Sequence, residues 1–317
     1  MTTDLSQILS SKRVSQLSPT DAISEYKRAK LNRNEEEEIN FLRLFWEALD
    51  NFCKVADISE THIQQAIDNI IASFRYSKGG RFENINLSFA ENICGYIHRY
   101  SSLGAGLARN RVLEAIDNCE ALNCCLNFAD INVISLGAGP GNDVIGFCSA
   151  FYERTVCLTL NLTLVDSAKR WSSCFNITEF LTRERNFGNA SNLFKETDVT
   201  TVYMRVDLPG NLVQDSKYFT ALSEADIIIM QKLLSIIPLE TKKSLIKSVA
   251  ETMKEEAVLL FIDSPFPEYC FKDFDIIYQS AIEEYIFPVS ERKFGRSNAV
   301  FSTARLVVLM KKHEKNE

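Results

Sequence analysis

The stretch Val133 to Asp143, VISLGAGPGND, decides the fold. An apolar run ends in a glycine-rich turn and opens directly into a helix-compatible segment. Gly137, Gly139 and Gly141 remove side chains where the backbone must bend sharply and where a ligand must come close to the main chain. A helix starting at such a turn offers free N–H groups and its positive dipole end to a polar or anionic group. The segment therefore predicts a strand, a ligand-binding turn and a helix.

Spacing separates two ligand classes. A dinucleotide fold needs G-x-G-x-x-G, whose last glycine lets the helix pack on the strand. Here the third glycine comes one residue early, at Gly141, and Asn142 stands where the fingerprint needs it. The G-x-G-x-G spacing, Gly137-Ala138-Gly139-Pro140-Gly141, resembles motif I of the class I S-adenosylmethionine-dependent methyltransferases. The order of later segments strengthens the resemblance. LTLNLTLVD is a second strand ending in Asp166, and VTTVYMRVDL a third with Asp207 at its end. ADIIIMQ, led by Asp226 and ending in Gln231, is apolar enough for a buried parallel strand. AVLLFID, EYIFPVS and ARLVVLMKK complete seven strands, the last two as an antiparallel hairpin around a polar loop with Gly295.

The resemblance covers about Ile131 to Lys312 and implies a Rossmann-like α/β fold, a mostly parallel seven-stranded sheet whose last strand is reversed. It implies S-adenosylmethionine as cofactor, with Gly137, Ala138, Gly139, Pro140, Gly141, Asp143, Asp207 and Gln231 around it. Asp166 would accept hydrogen bonds from the ribose hydroxyls, as an acceptor-only carboxylate suits a diol; it also suits a helix cap. One departure stands out. The family usually carries an acidic residue two positions before the first glycine, and here that residue is Ser135. Asp143, inside the following helix, could supply negative charge from another direction.

Residues 1–130 are different material, nearly free of β-branched runs and rich in helical periodicity. In SPTD, Ser18 caps a helix that begins at Pro19. A long helix is expected from Asn34 through Ala56, with Ile39, Leu42, Phe45, Trp46, Leu49, Phe52 and Cys53 as its buried stripe and Glu35 to Glu38 as a solvated first turn. Ser59 opens another, carrying Ile63, Ile67, Ile70, Ile71 and Phe74 and ending at Gly79 and Gly80. Ser88 and Glu91 form a capping box for SFAENICGYIHRYSS, and a further helix runs from about Gly104 to Cys125. The chain thus divides into a helical part, 1–130, and an α/β domain, 131–317. By the resemblance, the helical part covers the cofactor and shapes the acceptor pocket. Tyr96, Arg99 and Tyr100 are its candidates for facing the site, although plain packing between helix and sheet also accounts for them; Lys232 and Asp263, at the ends of strands four and five, are acceptor-side candidates.

Composition bounds the rest. The 317 residues are 46% apolar and carry a net charge of −7, with more acidic than basic residues in both parts, so the charge does not favour a long nucleic acid as partner. Arg75, Lys78 and Arg81, and Arg292, Lys293 and Arg296, are local basic clusters that could still serve an RNA. Nine cysteines and three histidines show no metal or disulfide spacing, so no metal is assigned and free thiols in a reducing compartment are expected. The polar N-terminus and the absence of an apolar run of membrane-spanning length predict a cytoplasmic or nuclear protein without a membrane partner. Asn/Asp-Pro-Pro-Tyr/Phe is missing after strand four, where QKLL stands, which removes the usual mark of adenine amino methylation. Transfer to a small molecule or a defined macromolecular site leads; an RNA methyltransferase and a non-catalytic scaffold that keeps the fold remain open.

Overall fold

The computed structural model describes residues 19–76, 85–152, 154–211, 214–264 and 271–312. Helices α1 (Pro19–Ala56), α2 (Glu60–Tyr76), α3 (Ala90–Tyr96), α4 (Ser102–Asn118) and α5 (Glu120–Cys125) precede the sheet, with a π-helical turn, Ile97–Ser101, joining α3 to α4. Then follow β1 (Asp130–Leu136), α6 (Asn142–Phe151), β2 (Thr159–Asp166), α7 (Trp171–Glu184), α8 (Asn189–Glu196), β3 (Asp198–Arg205), α9 (Ser216–Glu224), β4 (Ile227–Gln231), α10 (Leu239–Thr252) and β5 (Val258–Asp263). The chain closes with β6 (Phe274–Gln279), β7 (Glu283–Ile286), a small hairpin of β8 (Arg292–Lys293) and β9 (Arg296–Ser297), and the long β10 (Phe301–Lys311).

The main sheet runs β3-β2-β1-β4-β5-β10-β6, with β7 also paired to β10. Strands β1 to β5 are mutually parallel, and β10 runs antiparallel to β5 and β6. This is the mostly parallel Rossmann-like sheet with a reversed final strand. Strand order changes direction at β1, which pairs with β2 on one side and β4 on the other. In open α/β sheets the crevice at such a switch point, beyond the carboxyl ends of the strands, is where ligands bind. The sheet needs cover on both faces because its central strands are apolar throughout, all of β4 and β5 being buried. One face packs against the N-terminal helices together with α6, α7 and α8; the other packs against α9 and α10.

Several expectations change. The helix through Asn34 does not start there: it is one 38-residue helix from Pro19 to Ala56. The Glu35–Glu38 turn is not wholly solvated, since Glu37 is buried and accepts hydrogen bonds from Ser149 Oγ (2.7 Å) and Asn189 N (3.0 Å). Tyr285 donates to Glu38. Tertiary packing thus turns two of four acidic residues inward, where burial raises their pKa. Ile39 is exposed instead of joining the buried stripe. The Ser88–Glu91 capping box does not form; Ser88 N bonds Asn86 Oδ1 instead (2.8 Å), and Phe89 takes the cap position without a side-chain bond. The helix expected from Gly104 instead continues from α3 through the π turn and stops at Asn118. Gly79 and Gly80 lie outside the described residues, as do Ser18, Lys78 and Arg81.

The sheet has eight strands rather than seven. The segment beginning at Glu284 is not the outer partner along the whole last strand: β7 pairs only with Phe301 to Ala304, and β6 pairs with Val307 to Lys311. Strand β6, FDIIYQ, was not anticipated because it is an edge strand whose centre stays exposed, so it lacks a buried run.

Helix α4 crosses α6 at close range. A Cβ on Gly146 would stand 2.2 Å from Ala105 O, and one on Gly104 would stand 2.3 Å from Asn142 Nδ2. Arg111, buried in α4, ties that helix to the last strands through Ala304 O (3.2 Å) and Glu283 (3.4 Å). Because the Gly146 clash is with backbone, Gly146→Ala is expected to cost roughly 1–3 kcal/mol or more, the range of core overpacking. Urea unfolding should show a lowered midpoint at unchanged slope; a midpoint equal to wild type would contradict the close crossing.

Candidate functional site

The glycine turn hangs from the end of β2. Gly137 N and Ala138 N both donate to Val165 O (2.8 and 3.0 Å), and Gly139 N donates to Asp166 Oδ2 (3.0 Å). All three loop glycines have positive φ, +72°, +53° and +82°. That region costs an L-residue about 1–2 kcal/mol. Their surroundings differ. A Cβ at Gly137 would meet Leu233 (2.7 Å) and one at Gly141 would meet Phe175 (2.4 Å), whereas one at Gly139 would meet no described residue within 4 Å. The outer two glycines are packed against the protein, and the middle one has open space beside it among the described residues.

Asp166 ends β2 half-buried. Oδ1 accepts from Ala168 N (3.0 Å) and Oδ2 from Gly139 N, so it caps the turn after its own strand and fastens the neighbouring one. Burial raises its pKa, against these backbone N–H groups. The Ser167 N–H also acts on it, and since a carboxylate has about four lone-pair sites, acceptor capacity remains. Asp143, in the first turn of α6, is buried and accepts the Ser135 hydroxyl hydrogen bond. Ser135 and Asp143 therefore meet: a carboxylate reaches the neighbourhood of position 135 from the following helix. Burial pushes the Asp143 pKa up to about 7, with the Ser135 and Val144 hydrogen bonds opposing and Asp166 adding repulsion.

Four aromatic residues, Tyr96, Tyr100, Trp171 and Tyr203, complete this end of the sheet. Tyr96, closing α3, meets Trp171 edge-on (ring centroids 5.3 Å) and tilts against Tyr100 (5.6 Å). Burial, then the Asp166 and Asp143 carboxylates, raise its pKa. Tyr203, on β3, donates from its hydroxyl to Gly139 O (2.7 Å), and the same two carboxylates raise its pKa after burial. Sequence reasoning passed over Tyr203; its register opposite Leu164, two residues before Asp166, is the signal that marks it.

Other expected residues lie at the same end of the sheet with different commitments. Asp207 is exposed, one residue beyond Val206, whose N–H bonds Asp166 O (3.1 Å). Gln231 donates from Nε2 to Gly104 O (2.9 Å), and its buried Oε1 has no partner among the described residues. Lys232 stands at φ +54° after β4 and donates from Nζ to Thr303 O (2.5 Å); burial lowers its pKa, against the attraction of Asp263. Asp263 is buried and accepts from Ser235 N (3.0 Å) and Ser264 N (2.6 Å), holding the turns after β4 and β5. Arg99 is committed to the β8–β9 hairpin, donating to Ser297 O (2.7 Å).

The basic cluster in that hairpin is largely neutralised. Arg296 makes a two-pronged pair with Asp68 (2.6 and 2.7 Å), and Lys293 pairs with Asp50. Both serve to dock the hairpin on α1 and α2 instead of standing ready for phosphate. Among the described residues no group of three His, Cys, Asp or Glu side chains could hold a metal ion, and no helix is long and apolar enough to cross a membrane.

No protein-family model and no curated protein matches this sequence. Among solved structures, this chain is similar to TehB from Haemophilus influenzae, at 13% identity over 64% of this chain and 62% of that one (TM-score 0.37). Magnesium protoporphyrin IX methyltransferase (ChlM) from Synechocystis PCC 6803, with bound SAM, is 12% identical over 67% of this chain and 84% of its own (TM-score 0.38). TrmN from Thermus thermophilus is 12% identical over 68% of this chain and 53% of its own (TM-score 0.39). This chain thus spans about three fifths of TehB and half of TrmN. The fold assignment rests on strand order and register.

The glycine environments separate two substitutions. Gly139→Ala is expected to cost about 1–2 kcal/mol, the left-handed backbone penalty alone. Gly141→Ala adds a clash with Phe175 and should cost clearly more. Thermal unfolding of the two variants checks the order, and equal losses would contradict the open space beside Gly139.

Proposed function

We propose that this chain is an S-adenosylmethionine-dependent methyltransferase. The observation that carries the reading is the glycine turn at the sheet's switch point, fastened to Asp166 and open beside Gly139. The residues present fit the cofactor. The Gly137–Gly141 backbone lets a ligand approach closely, and the remaining acceptor capacity of Asp166 suits a ribose hydroxyl. Asp207 lies on the side where the adenine belongs. The unpartnered Oε1 of Gln231 is an acceptor for the ammonium of the methionine end. Asp143, which accepts the Ser135 hydroxyl hydrogen bond, brings back a carboxyl group that motif I otherwise lacks here. The described helices before β1 form the cover in this reading, with Tyr96 at the end of α3 as its candidate nearest the site.

When bound, the cofactor supplies a methyl group already activated by its sulfonium, so the protein need only align an acceptor and exclude water. Helix α3 and the aromatic residues Tyr96, Trp171 and Tyr203 keep the turn dry. The acceptor belongs above the ends of β4 and β5, where Lys232 and Asp263 hold the rim in shape; it is a small molecule or a defined macromolecular site. The pairing of Lys293 and Arg296 with acids supports this over an RNA acceptor. The free thiols of the eight described cysteines fit a cytoplasmic or nuclear setting.

Calorimetry with S-adenosylmethionine should show binding, and the ligand should raise the melting temperature by mass action. Asp166→Asn keeps the shape and one strong acceptor but loses the charge; it should weaken binding by roughly tenfold or more, as hydrogen bonds to charged groups contribute about 1.5–3 kcal/mol. No binding by wild type at millimolar ligand would sink the reading.

Asp143 gives a signed pH dependence. Its folded pKa, about 7, exceeds the ordinary 3.8, so the folded state holds the proton longer. Its contribution to stability is favourable below the unfolded value and is lost as pH rises toward about 7. Asp143→Asn should flatten the stability curve across that window. A wild-type curve with the same slope as the variant would rule out the raised pKa.

A further inference from the structure

Cys53 on α1 and Cys94 on α3 lie 41 residues apart in sequence, yet their sulfurs stand 3.5 Å from each other. Disulfide sulfurs sit about 2.05 Å apart, so closing the bond needs an approach of roughly 1.5 Å. The two thiols are unlike. Cys53 is half-buried near the surface, beside Lys293, whereas Cys94 is fully buried. The hydrogen bond from Cys94 holds the Cys53 thiol below the usual range, against burial and the nearby Asp50 carboxylate, with the Lys293 charge a smaller aid; the same bond and burial push Cys94 up. One sulfur is thus half-exposed, and the other lies buried behind it.

We propose that Cys53 and Cys94 are an oxidisable dithiol that a hydroperoxide converts to a disulfide, stapling α3 to α1. The Cys53 thiolate attacks one peroxide oxygen, the O–O bond breaks, and the alcohol or water leaves with the thiol proton, giving a sulfenic acid. Cys94 Sγ then attacks the Cys53 sulfur; the S–O bond breaks and hydroxide leaves as water with the Cys94 proton. The dithiol loses two electrons and the peroxide gains them. The stapled helix ends at Tyr96, two residues after Cys94, so oxidation also restrains the segment that closes on the glycine turn. That last consequence rests on the proposed cofactor site; the cross-link does not.

Hydrogen peroxide treatment of the intact protein, followed by alkylation and non-reducing peptide mapping, tests this. The expected product is one peptide pair joining Cys53 to Cys94, with a raised melting temperature that a thiol reductant reverses. Cys174 is a third buried thiol, close enough to influence both; Cys174→Ser should still form the link, and Cys53→Ser should not. Phenylarsine oxide, which bridges neighbouring thiols, should protect both cysteines of the unmutated protein from alkylation, so the result does not depend on a variant folding. In the oxidised form S-adenosylhomocysteine should dissociate several-fold more slowly. Two alkylatable thiols after peroxide, a sulfinic acid at Cys53 without a link, or a link to Cys174 would overturn the dithiol. A cross-linked protein that binds no adenosyl ligand would instead count against the cofactor reading alone.

Discussion

The glycine turn keeps its shape because strands beside it hold it. Val165 O receives both Gly137 N and Ala138 N, the Asp166 carboxylate receives Gly139 N, and Tyr203 reaches back from β3 to Gly139 O. Each partner depends on register: Leu136 opposite Val165, and Asp166 opposite Arg205. A slip of one residue in a strand sends every side chain to the other face. Asp166 would then leave the turn, and Tyr203 would leave the helical side. The pairing of the first three strands therefore fixes the site before any ligand is considered.

The helical part depends on the same turn from the other side. Helix α4 approaches α6 closely enough that Gly104 and Gly146 have no room for side chains, and Arg111 fixes it to the last strands. That crossing sets where the π turn, and hence α3 with Tyr96, comes to rest. Glu37 adds a second tie, joining α1 to the N-terminus of α8 at Asn189 and to α6 at Ser149. The buried apolar cluster on this face runs through helices and sheet without a break, so N-terminal helices and strands share one core.

Much of this was legible in sequence, and the rest was not for definite reasons. Glycine spacing and wholly apolar strands such as β4 are local signals, so β1 to β5 and the placing of Asp166 at a strand end could be read directly. Strand β6 escaped because an exposed edge strand leaves no buried run. The meeting of Ser135 with Asp143 follows from the helix direction after the turn, which spacing alone does not specify. Glu37, Lys293 and Arg296 look like surface charges because their partners lie far away along the chain. Tyr203 sits in an alternating strand and acquires its role only through its neighbours in the sheet.

In the proposed site the turn and Asp166 together hold an adenosyl ligand. A crystal structure with S-adenosylhomocysteine shows whether they do: ribose hydroxyls are expected within hydrogen-bond distance of Asp166, with the ligand passing over Gly139 and its amino acid end toward Gln231. A ligand bound elsewhere, without contact to Asp166 or the turn, would contradict it.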